Sequence, residues 1–178
     1  MKSSYLIIIF FLISGFLFSQ NDESSKLKFK SWSIVPLEIY GIQEGKDLFE
    51  NDGGIALSAD LSVSLNNNVF SFLVSLGQEF VIWGDGGDSF SQINLLYGRE
   101  FEIKKWLFIE THAGGGLLIY KVDEQLNNYD SKFNELVLPL VAKIRFQTGR
   151  KFSIGLKMQY NLGSFNTIYS GGLLLQFN

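Results

Sequence analysis

The chain has 178 residues, the length of a single domain, and contains no cysteine, so it has no disulfide framework and no thiol chemistry. Charged residues make up 19%, low for a soluble domain, and aromatics 15%, dominated by 17 Phe. A net charge of −3 argues against nucleic acid as a partner, because that binding needs clustered Lys and Arg.

Lys2 is followed by an apolar run from Tyr5 to Phe18, broken by Ser14 and Gly15, and then by Ser19, Gln20 and a polar stretch to Lys26. A basic start, a short apolar core and a small residue at the exit read as a secretory signal peptide over residues 1–19, with cleavage near Ser19 and Gln20. The run is too short to span a bilayer comfortably as a helix, which takes about 20 apolar residues. Residues 20–178 then form the mature domain. Without Lys2 they carry 14 basic and 18 acidic side chains, a net −4.

The rest of the chain reads in steps of two, the signature of β-strands whose side chains point alternately to opposite faces. The first strand, about 31–40, sets Val35, Leu37 and Ile39 against Trp32, Ile34, Pro36 and Glu38. Residues 42–52 read as a polar loop. The second strand sets Ile55, Leu57, Ala59, Leu61, Val63 and Leu65 against Ala56, Ser58, Asp60, Ser62 and Ser64. Asn66 to Asn68 read as a tight turn, since Asn tolerates left-handed backbone. In the third strand Phe70, Phe72, Val74, Leu76 and Phe80 oppose Ser71, Ser75, Gly77 and Glu79, with Gln78 an exception on the apolar face. After a loop at 84–88, the fourth strand sets Ile93, Leu95 and Tyr97 against Gln92, Asn94 and Gly98, and a turn follows at 102–105.

The fifth strand, Trp106 to Val122, places Leu107, Ile109, Thr111, Ala113, Leu117 and Ile119 opposite Glu110, His112, Gly114, Gly116 and Tyr120. A polar loop is expected over 123–132. The sixth strand sets Leu136, Leu138, Leu140, Ala142, Ile144 and Phe146 against Val137, Pro139, Val141, Lys143 and Arg145. A basic turn at 148–151 leads to the seventh, where Phe152, Ile154, Leu156, Met158 and Tyr160 oppose Ser153, Gly155, Lys157 and Gln159. Residues 161–167 read as a loop. The eighth strand places Tyr169, Gly171, Leu173, Leu175 and Phe177 opposite Ser170, Gly172, Leu174 and Gln176.

Eight alternating strands with short and longer connections by turns predict an all-β, eight-stranded antiparallel up-and-down barrel. The apolar faces carry almost no charge, whereas Glu38, Asp60, Glu79, Glu110, Lys143, Arg145 and Lys157 lie on the other faces. So many large apolar groups exceed what one narrow eight-stranded interior holds, so the apolar set is expected outside, against lipid. Aromatics near strand ends, among them Trp83, Phe90, Phe101, Trp106, Phe133, Phe152, Tyr160, Tyr169 and Phe177, suit interfacial girdles. Pro36 and Pro139 fall inside strands and each calls for a bulge or a place near a rim.

The spacing Ser170, Gly172, Leu175 and Phe177 resembles the C-terminal assembly signal of outer-membrane barrels, although Asn178 follows the aromatic. With the export signal and the strand pattern, residues 20–178 resemble the small outer-membrane proteins of the OmpA/OmpX type. That resemblance implies a transmembrane β-barrel in the bacterial outer membrane, lipid and glycolipid as neighbours, the barrel assembly machinery as a folding partner, and no cofactor. It implies a structural, envelope-integrity or adhesion role rather than an enzyme. The alternatives are a secreted soluble barrel holding an apolar ligand and a lipid-modifying barrel enzyme. Lipid A deacylases use an outward-facing His with a Ser two residues on. Here Gly114 stands two after His112, the single histidine, and His112 lies on the polar face.

Buried charges need partners. An even hairpin about 123–132 would set Glu110 opposite Arg145 and His112 opposite Lys143, with Asp60 and Lys157 completing a cross-barrel network. Such a network serves either as a polar plug or as an ion gate. No calcium-loop spacing appears at 84–88 and no phosphate-binding motif at Gly114 to Gly116, so no metal is expected. Residues 42–52, 84–88 and 123–132 carry nine acids and two bases, a net −7. That suits a solvated surface or divalent-cation bridging to surface glycolipid.

Overall fold

The computed structural model describes residues 26–44, 51–79, 88–124, 129–164 and 166–178. The expected signal peptide and Trp83 lie outside them. Eight strands follow one another: β1 Lys28–Glu44, β2 Asn51–Leu65, β3 Asn68–Glu79, β4 Ser89–Lys104, β5 Leu107–Glu124, β6 Tyr129–Gln147, β7 Phe152–Leu162 and β8 Asn166–Phe177. Each pairs antiparallel with the next, and β8 pairs with β1, closing the barrel. Closure removes every free sheet edge, the condition for a sheet to sit in lipid.

The alternation that the sequence carries sorts the side chains inside out. Among the described residues, twenty-nine large apolar or aromatic side chains are exposed, including Leu57, Leu61, Phe72, Leu95, Leu140, Leu156 and Leu173 of the outer wall. Among the same residues, nineteen polar or charged side chains are buried, against fourteen apolar ones. A water-soluble barrel would reverse this. An exposed apolar belt with a buried polar interior is stable only where the outer solvent is apolar.

The strands run longer than the sequence pattern showed. β1 and β2 continue into 42–44 and 51–54, β4 to Lys104, and β5 and β6 into the expected 123–132 loop. A tilted strand crosses a bilayer in about 9–11 residues. Strands of 15–19 residues are longer than that, and toward their ends the apolar alternation fades. Connections at one end are short: Asn66–Asn67, with Asn66 at φ 55°, Lys105–Trp106, and 148–151. We call this the turn end; β1 starts and β8 finishes there. The opposite ends of the strands, at Glu44 and Asn51, Glu79 and Ser89, Glu124 and Tyr129, and Leu162 and Asn166, form the loop end.

β1 departs most from a simple alternation. Its ladder with β2 shifts between Val35 and Glu38 and that with β8 between Ile34 and Glu38, a bulge that contains Pro36, whose missing N–H would break a regular ladder. The bulge reverses phase: Ser31, Ser33 and Val35 point inward before it, and Glu38, Tyr40 and Ile42 after it. The single face of Val35, Leu37 and Ile39 is therefore split, Val35 inside and the other two outside. Gly172 of β8 faces the bulge, and a Cβ there would collide with the Leu37 carbonyl and the Val35 side chain. Pro139 needs neither bulge nor rim. It pairs with Asn161 on β7, and on its other side the β5–β6 ladder leaves out two pairs, between Ala113↔Leu140 and Gly116↔Val137, at constant register.

Candidate functional site

The barrel interior gathers the ionisable side chains, arranged in tiers. Nearest the turn end, Glu110 accepts hydrogen bonds from Lys30 at 2.5 Å and Arg145 at 2.6 Å. Glu100 pairs with the same Lys30 at 2.7 Å and with Arg145. Two carboxylates and two cations thus alternate around the lumen, and the Arg145 guanidinium also lies 5.3 Å from the Phe108 ring centroid. The second Glu110 oxygen is 3.1 Å from His112 Nε2 and 4.0 Å from Lys143 Nζ.

Above this tier Asp60 takes a proton donor from three sides: Lys143 at 2.8 Å, Ser33 at 2.5 Å and Ser62 at 3.1 Å. Ser62 is also 2.7 Å from Ser71. Higher again, Lys157 donates to Glu38 at 2.8 Å and to Ser58 at 2.7 Å, while Ser58 and Ser170 donate to Glu38. Four acids and four bases therefore neutralise one another across strands, most of them fully buried. Unpaired, each would carry a desolvation cost of several kcal/mol. A layer of amides follows: Gln92 donates to Asn94 at 2.9 Å and to Asn161 at 2.8 Å, and Gln159 donates to Asn161 at 2.9 Å.

The loop end is filled differently. Tyr40, Ile42, Ala56, Phe90, Leu118, Tyr120, Val137 and Ile168 form a buried apolar cluster inside the barrel. Tyr40 and Phe90 meet edge to face at 4.9 Å. Gly77 makes this possible, since a Cβ there would strike the Phe90 ring. The Tyr120 hydroxyl donates to Asp88 at 2.8 Å, and the Asp88 amide donates to Glu79 at 3.0 Å, so polar groups cap the cluster.

Several pairings differ from those read off the sequence. Glu110 stands opposite Lys143 in the ladder, Arg145 opposite Phe108, and His112 opposite Val141. The β5–β6 hairpin closes one residue earlier than an even closure about 123–132, with β6 gaining four residues and β5 two, which slides the register by two residues. A slip of two keeps every side chain on its face, so Arg145 still reaches Glu110 diagonally. Asp60 bonds Lys143 and Lys157 bonds Glu38, so both stand in the cross-strand network, in neighbouring tiers. Phe90 is not a girdle residue but a lumen residue, 5% exposed. Lys30 and Glu100 went unrecognised. The ladder shift between Phe29 and Ser31 turns Lys30 inward, and Glu100 lies two residues past the expected end of β4. Continuing the Gln92, Asn94 and Gly98 face by two would have found Glu100.

The four residues of the closing strand fall on both faces. Ser170 reaches into the lumen to Glu38, Gly172 faces the bulge, and Leu175 pairs with Ile34 and Ile154. Phe177 stacks on Trp32 at 4.4 Å, nearly parallel, and packs on Phe152 at 5.0 Å, stitching three strands at the seam.

No protein-family model and no curated protein matches the sequence. Solved structures do match. The attachment invasion locus protein Ail of Yersinia pestis, in complex with the heparin analogue sucrose octasulfate, shares 18% identity at a TM-score of 0.55, over 83% of this chain and 95% of that one. Neisserial surface protein A shares 12% identity at a TM-score of 0.65, over 83% and 94%. At such identities the likeness establishes the fold, which is that of the small eight-stranded outer-membrane barrels of the OmpA/OmpX type.

Proposed function

We propose that this chain is a structural barrel of the bacterial outer membrane, its lumen plugged, acting through its stability in the envelope and through its exposed loop end. The observation that carries this reading is the inversion of the wall: apolar side chains outside and charge pairs inside, on a closed sheet. It disfavours the soluble barrel with an apolar ligand, whose apolar face would line the interior. A lipid-modifying enzyme is disfavoured by His112. It is enclosed in the lumen against Glu110 rather than turned toward acyl chains, so it cannot reach an ester in the surrounding lipid.

A surface-contact role belongs to this reading, but the ligand chemistry of Ail does not transfer. Sucrose octasulfate is a dense polyanion. The sequence over 42–52, 84–88 and 123–132 is net −7 and would repel it. The chemistry of this end suits cationic partners, or glycolipid phosphates bridged by divalent cations.

Assembly is the sharpest test. Export by a cleaved signal over residues 1–19 and reading of Ser170, Gly172, Leu175 and Phe177 by the assembly machinery should place the mature chain in the outer membrane. There its gel mobility should shift on boiling, as a closed barrel resists detergent. Phe177→Ala removes the ring that packs on Trp32 and Phe152 while leaving the lumen untouched. We expect its heat-modifiable fraction in isolated outer membranes to fall severalfold, with Phe165→Ala, between β7 and β8, unchanged. Soluble periplasmic wild-type protein would sink the compartment, and a Phe177→Ala fraction equal to wild type would sink the signal.

A further inference from the structure

The exposed charges at the turn end are almost all positive. Lys26 and Lys28 lead into β1, Lys104 and Lys105 lie at the β4–β5 turn, and Arg150 and Lys151 occupy the β6–β7 connection, all exposed. Among the described residues, the exposed acidic side chain at this end is Glu102 alone. The loop-end sequence is net −7, so the barrel is strongly polar along its axis.

Aromatic and apolar side chains stand beside these cations. Phe29, Phe101, Trp106 and Phe146 are exposed on the outer wall at the turn end, 62, 47, 49 and 43% accessible. Trp106 stacks on Phe146 at 5.9 Å, and Lys104 Nζ lies 5.4 Å from the Trp106 ring centroid. Rings of this kind settle at the depth of lipid headgroups. Cations in and beside the same turns, such as Lys104 over the Trp106 ring, then lie in the phosphate layer, with their methylenes along the apolar wall.

We infer that the turn end is a docking collar for anionic phospholipid headgroups, engaging the phosphates of the leaflet on that side of the membrane. The inference rests on the membrane-barrel reading and adds a lipid class to it. Periplasmic polyanions such as peptidoglycan would also attract the cations. The ring collar favours lipid, because it places the ammonium groups at headgroup depth rather than free in solution. Two connections and the segment entering β1 contribute, so the charge is spread around the rim as a bilayer is.

The test uses the full mature chain with Trp83→Phe, which leaves Trp32 and Trp106 as reporters near the turn end. The protein is refolded into vesicles of phosphatidylcholine mixed with brominated phosphatidylcholine or brominated phosphatidylglycerol, and tryptophan quenching gives the relative affinity of the two lipids. We expect phosphatidylglycerol to be preferred by about fivefold, the weight of one basic residue near an anionic surface. The preference should fall toward unity at ~0.5 M salt, where the screening length is less than half that at 0.1 M. It should fall likewise in the Lys104→Gln, Lys105→Gln, Arg150→Gln, Lys151→Gln variant. Equal quenching by both lipids in wild type would overturn the inference, as would a preference indifferent to salt. Binding to isolated peptidoglycan that vanishes in the variant, without any lipid preference, would assign the collar to that polymer instead. Failure to insert into phosphatidylcholine alone would overturn the barrel reading and this inference with it, a result distinct from insertion without selectivity.

Discussion

The two halves of the lumen solve the same packing problem with opposite chemistry. Toward the turns, Lys30, Glu100, Glu110 and Arg145, then Asp60 and Lys143, then Glu38 and Lys157 fill the space with paired charge. Toward the loops, Tyr40, Phe90, Leu118 and Ile168 fill it with apolar volume. Charge pairs are directional and demand a partner, so they fix which strand stands where across the barrel. Apolar groups are tolerant of shape and cost little to desolvate, which suits the end where the connections leave the sheet. The difference teaches that burial alone does not set the consequence of a mutation. The number of partners left behind does.

The largest effect should therefore come from the tier with most partners. Glu110→Ala would leave Lys30 and Arg145 with Glu100 as their shared acid and His112 without its carboxylate, four cations against three acids, and should lower stability by about 4 kcal/mol, the range for breaking a buried ion pair. Urea unfolding of the barrel in lipid vesicles measures this. A midpoint within error of wild type would mean that the charged tier does not bear on stability. Phe90→Ala should cost about 3 kcal/mol by the loss of a buried ring and the cavity left behind. It abandons no charge, so Phe90→Leu should restore most of the loss, whereas Glu110→Gln should restore less than half.

A finer contrast lies in additivity. Glu38 and Lys157 form a nearly closed pair, so Lys157→Met in a Glu38→Gln background should cost less than in wild type, a coupling of about 2 kcal/mol. Tyr40→Leu and Phe90→Leu, in edge-to-face contact, should couple by about 1 kcal/mol or less. Equal couplings would erase the distinction between the two halves.

How far the sequence revealed these halves follows from what alternation can encode. Runs such as Ile55 to Leu65 placed Ser58 and Asp60 inside and Leu57 and Leu61 outside, because a two-residue period is a local property of a strand between two solvents. Eight such runs were enough for the barrel. Register across a connection is not local. The β5–β6 hairpin closes one residue earlier than the middle of its polar stretch, and the ladder moved by two. Phase breaks are equally hidden: Pro36 announced a bulge, but not that Glu38 and Tyr40 would share the lumen with Val35. The apolar cluster stayed out of sight for another reason. Phe90, Leu118 and Ile168 are hydrophobic residues on inward positions, and composition assigns such residues to the outer wall. Lys30 and Glu100 lay past the ends at which alternation fades.

The central claim is that charge pairs at one end and an apolar cluster at the other together close the lumen. Planar-bilayer recording of the wild-type barrel tests it most directly. The account predicts a silent membrane at moderate voltage, without steady conductance, because neither half leaves a continuous aqueous path. Large, stable, open channels from the purified wild-type protein would contradict it.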